Sequence, residues 1–183
     1  MRLIIKLKLF LIVFFIAATS FAQTDKLEPL PITASRNTSV SFAISHTALV
    51  VNIINRCKAL PVKLSKNPVD VFARWQQRNG PYFEAAQGWV MYVASSIKGK
   101  QGQEKADEFT KTVIGQARES AETLAEGFFT KEEPPQVCEK WFQILLSPQS
   151  DIIAHQESRK DLQEILEFHK SVISRYKERG MGR

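Results

Sequence analysis

Residues 81–98, PYFEAAQGWVMYVASSIK, constrain the fold more than any other part of the chain. Tyr82, Ala86, Trp89, Val93 and Ile97 recur at steps of three and four, the spacing of one helical face. Phe83, Val90 and Ala94 lay a second apolar stripe beside the first. A helix that is apolar around most of its circumference needs neighbours on most sides. The expectation is an all-α fold: a compact bundle of five or six helices around the central helix 81–98, with one disulfide.

The flanking patterns supply the neighbours. Phe42, His46, Leu49, Ile53, Cys57 and Leu60 share a face, and Pro61 ends the run. Val40, Phe42 and Ile44 alternate with polar residues, so a short strand competes with helix at that point. Asn67-Pro68 reads as a cap followed by a first helical residue, with Val71, Phe72 and Trp75 on the buried face. Asp70 and Arg74, four apart, predict an exposed ion pair. Gly80-Pro81 predicts a stop and a new start. Residues 103–126 form an amphipathic helix on Ala106, Phe109, Val113, Ala117, Ala121, Leu124 and Phe128. Gly88 and Gly115 sit inside helices, where each costs about 1 kcal/mol against alanine; close helix crossings at both would account for them. Thr130 and Glu133 have capping-box spacing before Pro134 and Pro135. Val137, Cys138, Trp141, Phe142 and Leu145 make the next inner face, and Pro148 to Asp151 breaks the chain. The final helix runs from about residue 158 to 179 on Leu162, Ile165, Leu166, His169, Val172, Ile173 and Tyr176, and Gly180 ends it.

The first residues stand apart. Arg2, Lys6 and Lys8 form a basic leader, residues 9–18 an apolar core, and Ser20-Phe21-Ala22 a small-x-small cleavage site. That is the pattern of a secretory signal peptide over residues 1–22, cut before Gln23. Its apolar core is short for a membrane span, and no later stretch reads as long and apolar enough to cross a bilayer. Residues 23–39 hold Pro29 and Pro31 without periodicity and read as an extended or disordered lead-in. Asn37-Thr38-Ser39 matches the glycosylation acceptor pattern. Residues 40–180 are expected to form a single helical domain, periplasmic or secreted.

Export changes the charge and the cysteine chemistry. Residues 1–22 hold three of the 25 Lys and Arg and none of the 19 acids, which leaves a net charge of +3 rather than +6. Nucleic-acid binding is not implied. Cys57 and Cys138 would meet an oxidising compartment, where an even number of cysteines pairs. A Cys57–Cys138 disulfide is expected as a staple, since the Cys-x-x-Cys spacing of a redox pair is absent.

Little in the sequence points to catalysis. There is no Gly-x-Ser-x-Gly elbow and no Gly-rich phosphate loop. His46 and His169 both lie on apolar stripes and are candidates for a buried polar pair, each making one hydrogen bond. No metal is expected, because a site needs three or four clustered ligands, and no cofactor motif is present. His155 and Asp151 share a face as a solvated contact. Arg175, Lys177 and Arg179 suit the helix macrodipole and also predict a weak contact with an anionic membrane or cell-wall polymer. The expected function is that of an exported helical protein that binds a protein partner, as an inhibitor, immunity factor, chaperone or virulence accessory would. The alternatives are a carrier holding a small apolar ligand among Phe72, Trp75, Phe83, Trp89, Trp141 and Phe142, and an enzyme without a linear motif.

Mass spectrometry of the protein from its native host is expected to show a chain beginning at or near Gln23. An intact N-terminus in the cytoplasm would overturn the export reading.

Overall fold

The structure is a computed structural model that describes residues 28–180. The signal-peptide expectation for residues 1–22 lies outside the described residues. Within them the chain is all-helical, with five α-helices packed together and no strand. They are α1 (Ala34–Lys58), α2 (Pro68–Gln101), α3 (Gln103–Lys131), α4 (Pro134–Leu146) and α5 (Gln156–Glu178). Two short 3-10 turns, Pro148–Ser150 and Ile152–Ala154, join α4 to α5.

Helix α1 begins before the apolar pattern does. Thr33 caps it, its hydroxyl accepting from the Arg36 N–H at 3.3 Å. The strand alternative at Val40–Ile44 is not formed, and residues 34–39 are helix rather than lead-in. The acceptor-like Asn37 therefore lies inside α1, where its Oδ1 accepts from Trp89 Nε1 at 3.0 Å. By length and composition α1 could cross a membrane, contrary to the sequence expectation. Its inner face of Val40, Ala43, Ile44, Val50, Ile53, Ile54 and Cys57 is buried in the bundle.

The expected break at Gly80-Pro81 does not occur. Asn67 caps α2 through a 2.9 Å bond from the Val69 N–H, and the helix runs unbroken past Pro81. Proline removes the hydrogen bond to the carbonyl four residues back, here that of Gln77. Both Gln77 and Pro81 face solvent, so water can satisfy that carbonyl. The central helix is thus longer than residues 81–98. The capping box at Thr130–Glu133 is also not formed. Helix α3 continues to Lys131, the Thr130 hydroxyl donates to the Gly127 carbonyl, and Glu133 makes no side-chain cap for α4.

Helices α1 and α2 each pack against all the others. Their buried side chains, with Phe142, Leu145, Ile152, Leu162 and Ile165, make one core. Helix α3 meets this core through the buried Ala117 and Ala125 and the partly buried Phe109, Val113, Ile114 and Phe129, with Ala106 and Ala121 also buried. Leu124 and Phe128, expected inside, are 55 % and 38 % exposed. Small residues let two backbones approach closely, and that seam rotates the larger ones outward. Gly88 does mark a close crossing: a Cβ there would lie 2.5 Å from His169 Nδ1. Gly115 does not, since nothing stands within 4 Å of the same position. The Asp70–Arg74 ion pair is absent from the ion pairs of the described residues.

The Cys57–Cys138 disulfide is formed, with the Cα atoms 5.7 Å apart and both residues buried. It ties the end of α1 to the first turns of α4. Closing a loop between residues 81 apart stabilises the fold by about 4.5 kcal/mol in the chain-entropy model. At the other end, no residue of α5 beyond Leu166 is buried, so the expected inner stripe stops short of Ile173 and Tyr176.

Gly88→Ala is expected to destabilise the protein, because overpacking against His169 outweighs the gain of about 1 kcal/mol in helix propensity. In a His169→Ala background the same change should stabilise by about 1 kcal/mol. Urea unfolding of the four proteins checks both signs, and a stabilising Gly88→Ala in the parent would refute the crossing.

Candidate functional site

The polar chemistry inside the bundle gathers where the α4–α5 connection crosses α2. This connection has little regular structure, so its backbone groups need partners from elsewhere. Asn79 is fully buried on α2. Its Oδ1 accepts from the Ile152 N–H at 2.7 Å, and its Nδ2 donates to the Trp75 carbonyl and to Asp151 Oδ1, each at 2.9 Å. Arg78 donates from Nε to both Asp151 oxygens, at 2.9 and 3.1 Å, and from a terminal nitrogen to the Leu145 carbonyl at 2.8 Å. Trp75 Nε1 and His46 Nε2 both donate to the Ser150 carbonyl, at 3.2 and 2.9 Å.

His46 and His169 are not brought together. His46 meets Trp75 and Ser150, whereas His169 lies against Gly88, thirteen residues further along α2. That separation is roughly 20 Å of helix. The expected contact between His155 and Asp151 is replaced. Asp151 pairs with Arg78, while His155 stacks on Phe42 with ring centroids 4.2 Å apart and shares a 3.0 Å hydrogen bond with Ser158. Burial pushes the His46 imidazole below its ordinary value of 6.5. The Ser150 carbonyl and the Asp151 charge oppose that shift, and His155 adds to it. Because a carbonyl can only accept, His46 carries its proton on Nε2. Apart from His46 Nδ1, the groups of this cluster are engaged with backbone or with another member, which makes it a clamp on the connection. Among the described residues, no three His, Cys, Asp or Glu side chains are grouped to hold a metal.

Besides a groove of about 570 Å³ between the end of α2 and the start of α3 and the exposed end of α5, two surfaces stand open among the described residues. The first is a cleft of about 470 Å³ between α1, α2 and α3. Ile44, Phe72, Trp75, Phe83 and Ile114 form apolar walls, with Arg118 and Glu122 at α3. Three of the six aromatics expected around a ligand line it. Of the others, Trp89 packs against Tyr92 and Phe168, Phe142 is buried, and Trp141 meets Phe128.

The second is the outer face of the α3–α4 hairpin. Phe128 and Trp141 meet edge to face at 5.3 Å across it. Leu124 and Ile144 lie one turn further from its tip and are 55 % and 44 % exposed. The sequence pattern did contain this face. Leu124 and Phe128 are four apart, but the same spacing describes a buried stripe, and only the alanine seam decides which way they point.

No protein-family model, curated protein or solved structure matches the chain.

The depressed His46 value sets a sign for the dependence of stability on pH. The unfolded imidazole takes up a proton near 6.5 and the folded one only at lower pH. Stability contributed by this group is full above 6.5 and is lost as the pH falls from there toward the folded value. The melting temperature is expected to drop across that interval. His46→Gln, which keeps a donor for Ser150, should flatten the drop. An equal slope in both proteins would remove His46 as its source.

Proposed function

We propose that this is an exported, non-enzymatic protein that binds a protein partner through the outer face of the α3–α4 hairpin. The observation that carries the reading is the apolar group Leu124, Phe128, Trp141 and Ile144 on that face. Single exposed apolar residues are ordinary, but three large exposed ones beside the half-buried Trp141, with two aromatics in contact, have the composition of an interface core. Lys140 and Glu132 pair beside it at the hairpin tip and supply a polar rim. Export is supported by the pattern of residues 1–22 and by the Cys57–Cys138 disulfide, which persists in oxidising compartments.

A second reading, carriage of a small apolar ligand, is favoured by one observation: the cleft lined by Phe72, Trp75 and Phe83. Its volume of about 470 Å³ lies in the range of small-molecule sites.

One experiment separates the two. A photo-crosslinking amino acid at Phe128, in the native host, is expected to give a discrete protein adduct that Leu124→Glu abolishes without lowering the melting temperature. The same group at Gln87, on the cleft, should give none. A small-molecule adduct at Gln87 with nothing at Phe128 would replace the first reading by the second. Equal adducts at both positions would defeat the claim that the hairpin face is specific.

A further inference from the structure

The last turns of α5 leave the bundle. Phe168 still packs edge on against Trp89 and Tyr92, and His169 against Gly88. Beyond them no side chain is buried: Val172 and Arg175 are half-buried, and Ile173 and Tyr176 are 39 % and 54 % exposed. At 3.6 residues per turn, Val172, Ile173 and Tyr176 fall on one stripe of this projecting end. The charges are arranged about that stripe. Arg175 and Arg179, one turn apart, border it on one side, and Lys177 borders it on the other. Glu167 and Glu178 lie on the opposite face. Lys170 is paired with Glu167, whereas Arg175, Lys177 and Arg179 join none of the ion pairs among the described residues.

Cations in a last helical turn favour the macrodipole, but that effect does not require them on both flanks of an apolar stripe. Nor does it expose Ile173 and Tyr176. An apolar face between two rows of cations, with acids turned away, matches a plane that is anionic at its surface and hydrocarbon beneath. We infer that the projecting end of α5 docks on an anionic lipid surface, with Ile173 and Tyr176 entering the headgroup boundary and Arg175, Lys177 and Arg179 meeting lipid phosphates. The apolar area is small, so binding is reversible and falls steeply with salt. This surface is separate from the α3–α4 hairpin face, and either assignment can fail without the other.

The test is co-sedimentation with vesicles, using the chain from Gln23 onward. That chain keeps all five helices and omits the apolar segment of residues 1–22, which would bind lipid by itself. Binding is expected to vesicles of phosphatidylglycerol mixed with phosphatidylcholine, and not to phosphatidylcholine alone. Arg175→Gln and Lys177→Gln should each weaken it about fivefold. Ile173→Ser with Tyr176→Ser should weaken it about tenfold. All these positions are outside the core, so an unchanged melting temperature confirms that the variants fold. The inference is overturned if neither vesicle binds, if both bind equally, or if the serine variant binds like the parent. Capture of polyglutamate in place of vesicles would also overturn it and assign the face to an acidic protein.

Discussion

The bundle depends on α2 remaining a single rod through Gly80-Pro81. Proline inside a helix costs about 3 kcal/mol and glycine about 1 more. Against this stand Trp75 and Trp89, 1 % and 2 % exposed, about four turns apart on the same side. At 150–250 Å² of apolar surface and 25 cal/mol per Å², each contributes roughly 4–6 kcal/mol as an upper estimate. The two tryptophans outweigh the local penalty only if both sit on one straight element. Trp75 then reaches the α4–α5 connection while Trp89 reaches α1 and Phe168 of α5. A break at residue 80 would leave these two attachments free to move relative to each other.

The same rod explains why the conspicuous polar residues are structural. Asn79 stands one turn beyond Trp75 and uses both ends of its amide on the connection. Arg78 and Asp151 form an ion pair that also holds the Leu145 carbonyl, and His46 closes the far side on Ser150. A buried polar network is favourable only when each member is satisfied, because an unpaired group costs the full desolvation penalty.

What was legible in the sequence was whatever a period of three and four residues encodes: the helical class, the inward position of both cysteines and the cores of α2, α4 and α5. The errors have separate physical causes. The stop signal at Gly80-Pro81 is real locally and is overridden by tertiary burial. The start of α1 carries no apolar stripe to read. Residues 35–39 are held to α5 by polar contacts instead, with Ser35 and Ser39 on Asp161 and Arg36 on Glu164. Asp151 and Arg78 are 73 apart in the chain, and no local pattern marks such a pair. His46 and His169 illustrate a related point. Two residues on inward stripes share a core without sharing a height along α2.

Helix α3 poses the question that stability alone does not answer. It buries four alanines, packs the half-buried Phe109, Val113, Ile114 and Phe129 on the core, and exposes Leu124 and Phe128. Full burial of a leucine or phenylalanine is worth about 1.5–3 kcal/mol, several times more than an alanine methyl can supply. A helix free to rotate about its axis would turn the larger pair inward. The alanines together with Phe109, Val113 and Phe129 hold it the other way against the core, and Phe128 then meets Trp141 edge to face. That contact recovers part of the loss, about 0.5–1.5 kcal/mol for an aromatic pair. Leu124 and Ile144 stay about half exposed among the described residues. An arrangement that forgoes its own burial at adjacent positions on two helices gains it back when a second surface covers them. That is the physical case for the proposed partner to lie on this face in preference to the clamp at Asn79, where Arg78, Asn79 and Asp151 are already engaged.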